Sequence, residues 1–253
     1  MTGPLARLSR SMGEVGPTAF LVAAGAVTVL NLIPYGETLL YPLAVFTTWV
    51  HETSHALVAM VLGAHVEGLL VRPDTSGLAT YLYNVAEFGT ASRAATASAG
   101  YLGAALVAAG LLATTRRPLL HRAVLAGLAL VMILTVTLWV RTAFGIIVLL
   151  LIAAGLGALA VRGSATIARW ALLLLGLQTA LNALFDIRAL YYVHGMSDAQ
   201  TMSQLIGLPA AFWATLWLLV GGVVLVRTFL ASVRGRRDST VPKPKQQAVG
   251  RRP

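Results

Sequence analysis

The chain contains no cysteine, and only 11% of its 253 residues are charged. The missing cysteines exclude disulfide bridges and thiolate metal ligands, so any metal must be bound by histidine and carboxylate side chains. A soluble domain usually carries about a quarter charged residues, more than twice the share found here. Hydrophobic residues make up 57% of the chain, and its mean hydropathy is +0.78. We therefore expect a membrane protein that crosses the bilayer several times.

Positive charge is concentrated at the C-terminal end. The net charge is +10, and 8 of the 19 lysines and arginines lie in the last 27 residues. Residues 232–253 have almost no apolar content, which predicts a disordered basic tail after a membrane domain at 1–231. Beside a membrane, such a tail is typical of a topology signal or a contact with lipid headgroups, so we expect no nucleic-acid partner.

Seven apolar runs are long enough to cross a bilayer as helices, which takes roughly 20 residues. Between the second and third runs, His65–Val71 and Leu78–Tyr83 are typical of short strands around the turn-forming residues 73–77. The expected fold class is an all-α polytopic membrane protein with about seven transmembrane helices and a short β-hairpin, within about 64–92, after the second. The runs lie at about 17–33, 38–62, 93–113, 119–139, 143–161, 167–192 and 208–230.

The second run contains His51-Glu52-Thr53-Ser54-His55, which has the H-E-x-x-H spacing. On a helix, histidines four residues apart share one face and can bind one zinc ion, and the glutamate can take a proton from water. A purely structural polar cluster is the alternative. We favour metal binding because polar groups inside an apolar span are costly without a ligand.

Zinc usually has a third protein ligand, and Asp186 is the acid that we select. It lies inside an apolar run, toward the C-terminal end of a helix that runs in the same direction as the motif helix. Asn182 lies four residues earlier on the same face, where it can hydrogen-bond a ligand or a developing oxyanion. The alternatives for the third ligand are Asp198, in the following loop, and then Asp74, in the hairpin.

The order of these features resembles the site-2 protease family, and its shorter bacterial peptidase-like branch most closely. The features are an H-E-x-x-H motif in an apolar helix, a short hairpin, the small-residue segment Ala99-Gly100-Tyr101-Leu102-Gly103 and a late intramembrane aspartate. The resemblance covers about 38–113 and 167–230. It implies an intramembrane zinc metalloprotease that cleaves peptide bonds in or near transmembrane segments.

The resemblance also implies roles for single residues. His51, His55 and Asp186 would hold one Zn²⁺ per chain, and Glu52 would be the general base. The partners would be the lipid bilayer and a membrane-embedded protein substrate, in a bacterial plasma membrane. The hairpin would bind an unwound substrate segment as an added strand.

Two other functions stay open. The third motif of the family includes a proline and an Asp-Gly pair, which are absent around Asp186. A zinc-binding membrane scaffold without catalysis is therefore one alternative, and a metal transporter is the other. The orientation also stays open, because the distribution of lysine and arginine favours an outside N-terminus whereas the family resemblance implies the opposite.

Overall fold

A computed structural model describes the backbone of residues 16–192 and 197–240. It describes side chains over the same ranges except at 17, 183–192 and 232–240. Two strands, β1 (His65–Val71) and β2 (Gly77–Leu82), follow the second helix. The helices are α1 (Pro17–Leu32), α2 (Gly36–Val61), α3 (Thr90–Thr114), α4 (His121–Leu138), α5 (Ala143–Arg162), α6 (Ala165–Tyr192), α7 (Asp198–Ile206) and α8 (Ala210–Thr240).

Each of the seven apolar runs lies in one long helix, α1 to α6 or α8. The helix ends differ from the predicted ends by no more than 3 residues, except that α8 continues to Thr240. The first residues of the predicted tail, 232–240, thus belong to a helix, and 241–253 lie outside the described residues. The division into a membrane domain and a disordered tail stays a prediction.

Fewer than seven helices meet the requirements for crossing a membrane. In the described chain, 4 segments are long and apolar enough: Thr90–Thr114, Pro118–Leu138, Ala143–Arg162 and Ala210–Ala231. The α1–α2 pair passes only together, with a bend of 109° between the two helices, and makes a fifth, broken span or a re-entrant loop. Seven crossings are therefore not confirmed. α1 has only 16 residues, and Arg169 and Gln178 interrupt the apolar sequence of α6.

The bend between α1 and α2 follows from the residues that connect them. Pro34 removes a backbone donor and restricts the residue before it, which ends α1. Tyr35 has a left-handed φ of 63°, and a Cβ on Gly36 would collide with the backbone of Leu30. The chain therefore turns sharply, and α2 begins in a new direction with the H-E-x-x-H motif in its second half.

β1 and β2 form the predicted hairpin, and β2 is its edge strand. The strands pair antiparallel, with Leu69 opposite Ala79. The other edge of β1 is hydrogen-bonded to the turn between α4 and α5. The N–H of Leu69 donates to the carbonyl of Trp139 at 2.7 Å, and the N–H of Arg141 donates to the carbonyl of Leu69 at 3.0 Å. The turn between α4 and α5 thus covers β1 and leaves β2 on the opposite side.

α3 packs against the motif helix α2 and also contacts α6, α7 and α8. Its contact face consists of small residues, including the buried Ala97, Ala104 and Ala108. A Cβ on Gly103 would collide with the side chain of Ser54 on α2. Small residues allow two helix backbones to approach closely. This close approach places the two motif histidines directly against α3.

Candidate metal centre

The two motif histidines meet on one face of α2. His51 and His55 are about one helical turn apart, and their Nε2 atoms are separated by 3.0 Å. Nδ1 of His55 lies 2.7 Å from the carbonyl oxygen of Thr96 on α3. Because a carbonyl only accepts, Nδ1 carries a proton, so in the neutral form of His55 the lone pair is on Nε2, the atom that faces His51.

Asp198 joins this pair from the N-terminal end of α7. Its Oδ2 atom lies 2.9 Å from Nε2 of His51 and 3.2 Å from Nε2 of His55. Ser197 caps α7: its hydroxyl accepts from the N–H of Gln200, whose side chain accepts from the N–H of Ser197. This capping box fixes the start of the helix, and with it the position of Asp198.

Asp186, the acid selected from the sequence, lies among the α6 residues whose side chains are outside the described part of the chain. Its role as a ligand stays a prediction. Asp74 is exposed in the hairpin turn, where its carboxylate accepts from the N–H and the hydroxyl of Ser76 at 3.0 and 2.7 Å. Within the described residues, the group that could hold a metal consists of His51, His55 and Asp198.

The chemistry of the three donor atoms fits zinc. The lone pair of His55 Nε2 faces the carboxylate oxygen of Asp198 at 3.2 Å, an arrangement that is repulsive without a cation or a proton between the atoms. Tetrahedral zinc with bonds of about 2.0–2.1 Å places its ligand atoms about 3.3 Å apart. Two imidazoles and one carboxylate are also a donor set that zinc enzymes use, with a fourth position left open.

The electrostatics of the group favour an ionised Asp198. Burial alone would raise the pKa of the Asp198 carboxyl, but attraction and hydrogen bonds from His55 and His51 in their protonated form outweigh it and hold that pKa well below its usual range. The carboxylate is therefore charged at neutral pH, which is the form that binds a metal ion.

Glu52 lies next to the group but points at the hairpin. Its side chain is buried, and it lines the cleft beside Gly77 and Ala79 of β2. A Cβ on Gly77 would come within 2.5 Å of Oε1 of Glu52. The edge strand therefore holds Glu52 beside the three donor atoms, but Glu52 is not one of the candidate ligands.

The donor group and Glu52 open into one cleft of about 390 Å³. Residues of α2, β2, α3 and α7 line this cleft, and they include Tyr101 and Thr201. Asn182 does not line it. Instead, Asn182 lines a second, much smaller cavity on another side of His51. The predicted role of Asn182 as an oxyanion donor therefore gains no support from the geometry of the cleft.

Gly100 provides a direct test of the donor geometry. A Cβ at this position of α3 would collide with the Nε2 atoms of both His51 and His55. We expect Gly100→Ala to displace the imidazoles and to weaken zinc binding by at least about 10-fold, the lower end of the loss seen when the orientation of a ligand is disturbed. Chelator competition on the purified protein measures this affinity.

Gly110→Ala is the matched control, because a Cβ there meets nothing within 4 Å on the same helix. Alanine is the better helix former by about 1 kcal/mol, so the control should bind zinc like the wild type and be no less stable. Equal zinc affinity in Gly100→Ala and Gly110→Ala would contradict the position assigned to the histidines.

Comparison with known proteins gives one family match. No curated protein and no solved structure matches the chain. A family model described as Peptidase M50B-like matches residues 20–228, a range that contains the H-E-x-x-H motif, the hairpin and Asp198. The match confirms the resemblance to the site-2 protease family that the sequence motifs indicate. The chain belongs to the Peptidase M50B-like family.

Proposed function

We propose that this protein is an intramembrane zinc metalloprotease in which His51, His55 and Asp198 bind the metal and Glu52 is the general base. The observation that carries the proposal is the convergence of three donor atoms at separations of 2.9–3.2 Å, with a fourth ionisable side chain beside them in the same cleft. Family membership supports the same class of activity.

Glu52 has the position that a general base requires. A zinc ion held by the three donors would supply an activated water and a Lewis acid for a peptide carbonyl. Glu52 would accept a proton from the attacking water at its carboxylate and pass it to the leaving amine. Gly77 of β2 lies against the carboxylate and limits its movement, and the side chain as a whole is buried.

Asp198 is the better-supported third ligand, although the sequence favoured Asp186. Its oxygen is within 3.2 Å of both histidine nitrogens. It is also fixed in place by the contacts of α7, since Ala199 and Met202 are buried against Ala97 of α3. The three residues would hold the metal from one side, and the cleft beside them has room for a water molecule and a substrate.

The edge of β2 is suited to bind an unwound substrate segment. In an antiparallel pair, successive residues direct their N–H and C=O groups alternately toward the partner strand and away from it. Leu69 directs both of its groups to the turn at 139–141, so Ala79 opposite it directs its own groups away from β1. Gly77, Leu78 and Ala79 line the cleft. A substrate strand added along β2 would therefore pass Glu52 and the three donors.

Two features favour this function over its alternatives. A silent scaffold would not need a buried carboxylate at the site, yet Glu52 is buried there and lines the cleft. A transporter would need successive sites along a path, whereas the described part of the chain holds one candidate group of three ligands. For an intramembrane protease, the expected substrates are proteins embedded in the same bilayer.

A chelation experiment tests the proposed function. The purified full-length protein should cleave a peptide that contains a model transmembrane segment, lose this activity when a chelator removes the zinc, and regain it when zinc is restored. Mass spectrometry of the products locates the cleaved bond. Cleavage that continues at the original rate after zinc removal would contradict a metalloprotease. A zinc-loaded protein that cleaves no member of a broad peptide panel would favour the scaffold.

A further inference from the structure

The two imidazoles of the donor group are supported differently. A metal-bound histidine almost always donates its other ring N–H to a carboxylate, a carbonyl or a water molecule. His55 does so through Nδ1 and the carbonyl of Thr96 at 2.7 Å. The hydrogen bonds that the described chain makes to His51 both involve its Nε2 atom, to Asp198 and His55. Its Nδ1 therefore has no direct partner among the described residues.

His51 also lines a second, small cavity. It lies between α2, α3, α6 and α8 and has a volume of about 10 Å³, which is roughly the space that one water molecule needs. Its polar lining includes Thr47, one turn before His51 on α2, and Thr179 and Asn182 on α6. A buried water molecule needs two to four polar partners, and several residues with polar side chains, His51 among them, line this cavity.

The two threonine hydroxyls face each other as acceptors. Thr47 Oγ1 lies 3.0 Å from the carbonyl of Leu43, and Thr179 Oγ1 lies 2.7 Å from the carbonyl of Leu175. A hydroxyl has one proton, and in each case the helix carbonyl can take it. The two Oγ1 atoms lie 3.3 Å apart, and when both protons point to the helix carbonyls each oxygen has lone pairs that can accept from a donor.

We propose that one buried water molecule binds in this cavity, accepts the Nδ1–H of His51 and donates to Thr47 Oγ1 and Thr179 Oγ1. Its three hydrogen bonds match the usual number for buried water. Thr47 and Thr179 are then positioning residues: through the water they hold the proton on Nδ1 and direct the lone pair of Nε2 toward the metal. The inference rests on the proposed zinc site and adds a support that the H-E-x-x-H motif does not contain.

Zinc affinity tests the inference without reference to catalysis. Thr47→Val and Thr179→Val keep the side-chain shape and remove the hydroxyl. Each should weaken zinc binding about 10- to 100-fold in chelator competition, the usual loss when the support of a metal-bound histidine is removed. Thermal unfolding of the zinc-free protein should be nearly unchanged. The double variant should lose less than the product of the single losses, because both hydroxyls act through one water molecule.

Three sets of variants make the result decisive. Thr47→Ser and Thr179→Ser retain the hydroxyl and should bind zinc like the wild type. Thr215→Val is the matched control, because Thr215 is an exposed threonine whose hydroxyl donates to the carbonyl of Ala211 in the same way, at 2.7 Å. If a valine variant does not fold, the alanine variant at that position replaces it, since alanine also removes the hydroxyl without adding bulk.

The failure of this inference can be distinguished from the failure of the proposed function. Wild-type zinc affinity in both valine variants would overturn the water site and leave the protease assignment intact. Losses that multiply in the double variant, or equal losses in the serine variants, would indicate two independent packing effects and would also overturn it. A wild-type protein that binds no zinc would overturn both proposals.

Discussion

Asp198→Ala is expected to remove zinc from the protein and to abolish cleavage. The substitution takes away an oxygen that lies 2.9 Å from Nε2 of His51 and 3.2 Å from Nε2 of His55, and it leaves two imidazoles that cannot retain zinc on their own against a chelator. Alanine still allows Ser197 to cap α7, so the helix should persist. Metal analysis of the purified variant, together with circular dichroism, separates ligand loss from unfolding.

Asp186→Ala is the comparison that makes this result decisive. The sequence alone predicts that Asp186→Ala loses the metal and that Asp198→Ala keeps it, whereas the observed donor group predicts the reverse. If only Asp186→Ala loses zinc, the third ligand is Asp186 on α6. Equal and complete loss in both variants would mean that neither arrangement with one carboxylate describes the site.

Glu52→Gln is expected to retain zinc while losing about 10²- to 10⁴-fold in cleavage rate, the usual contribution of a general base. Glutamine preserves the shape of the side chain and should pack against Gly77 in the same way, but it cannot take a proton from water at neutral pH. The measurement pairs the zinc content with the rate of cleavage of a transmembrane peptide.

Glu67→Gln provides the control for the loss of one negative charge, since Glu67 is exposed on β1 and does not line the cleft. It should cleave at the wild-type rate. If Glu52→Gln also cleaves at that rate, the base lies elsewhere. If Glu52→Gln loses zinc, the glutamate is itself a ligand or an essential support for one, and the proposed mechanism fails.

The H-E-x-x-H motif and the elements around it could be predicted because their signals are local. The spacing of His51 and His55 fixes a shared helical face whatever the rest of the fold does. The turn-forming residues at 73–77 separate two short strands, and the hairpin forms where they indicate. The apolar runs likewise mark the long helices. The number of membrane crossings could not be predicted in this way. The chain bends at Pro34, so α1 and α2 together make one broken span or a re-entrant loop instead of two separate crossings.

Asp198 could be placed only by the tertiary structure. Asp186 was selected from the sequence because an acid inside an apolar run is costly and therefore indicates a function. Asp198 lies in a polar segment that is too short for hydrophobic periodicity to predict a helix. One local signal was available: Ser197-Asp198-Ala199-Gln200 has the spacing of a capping box and predicts a helix start. That signal predicts α7 but not its docking on α3, which depends on the small side chains of Ala97 and Ala199.

The zinc content of the wild type and of the His51→Ala/His55→Ala double variant tests the central claim most directly. Both histidines are ligands in the proposed site, and their Nε2 atoms meet at 3.0 Å. We predict about one zinc per wild-type chain, as a mononuclear site with three protein ligands requires, and none in the double variant at the same purity and helical content. A double variant that retains stoichiometric zinc would contradict the assignment of the metal centre.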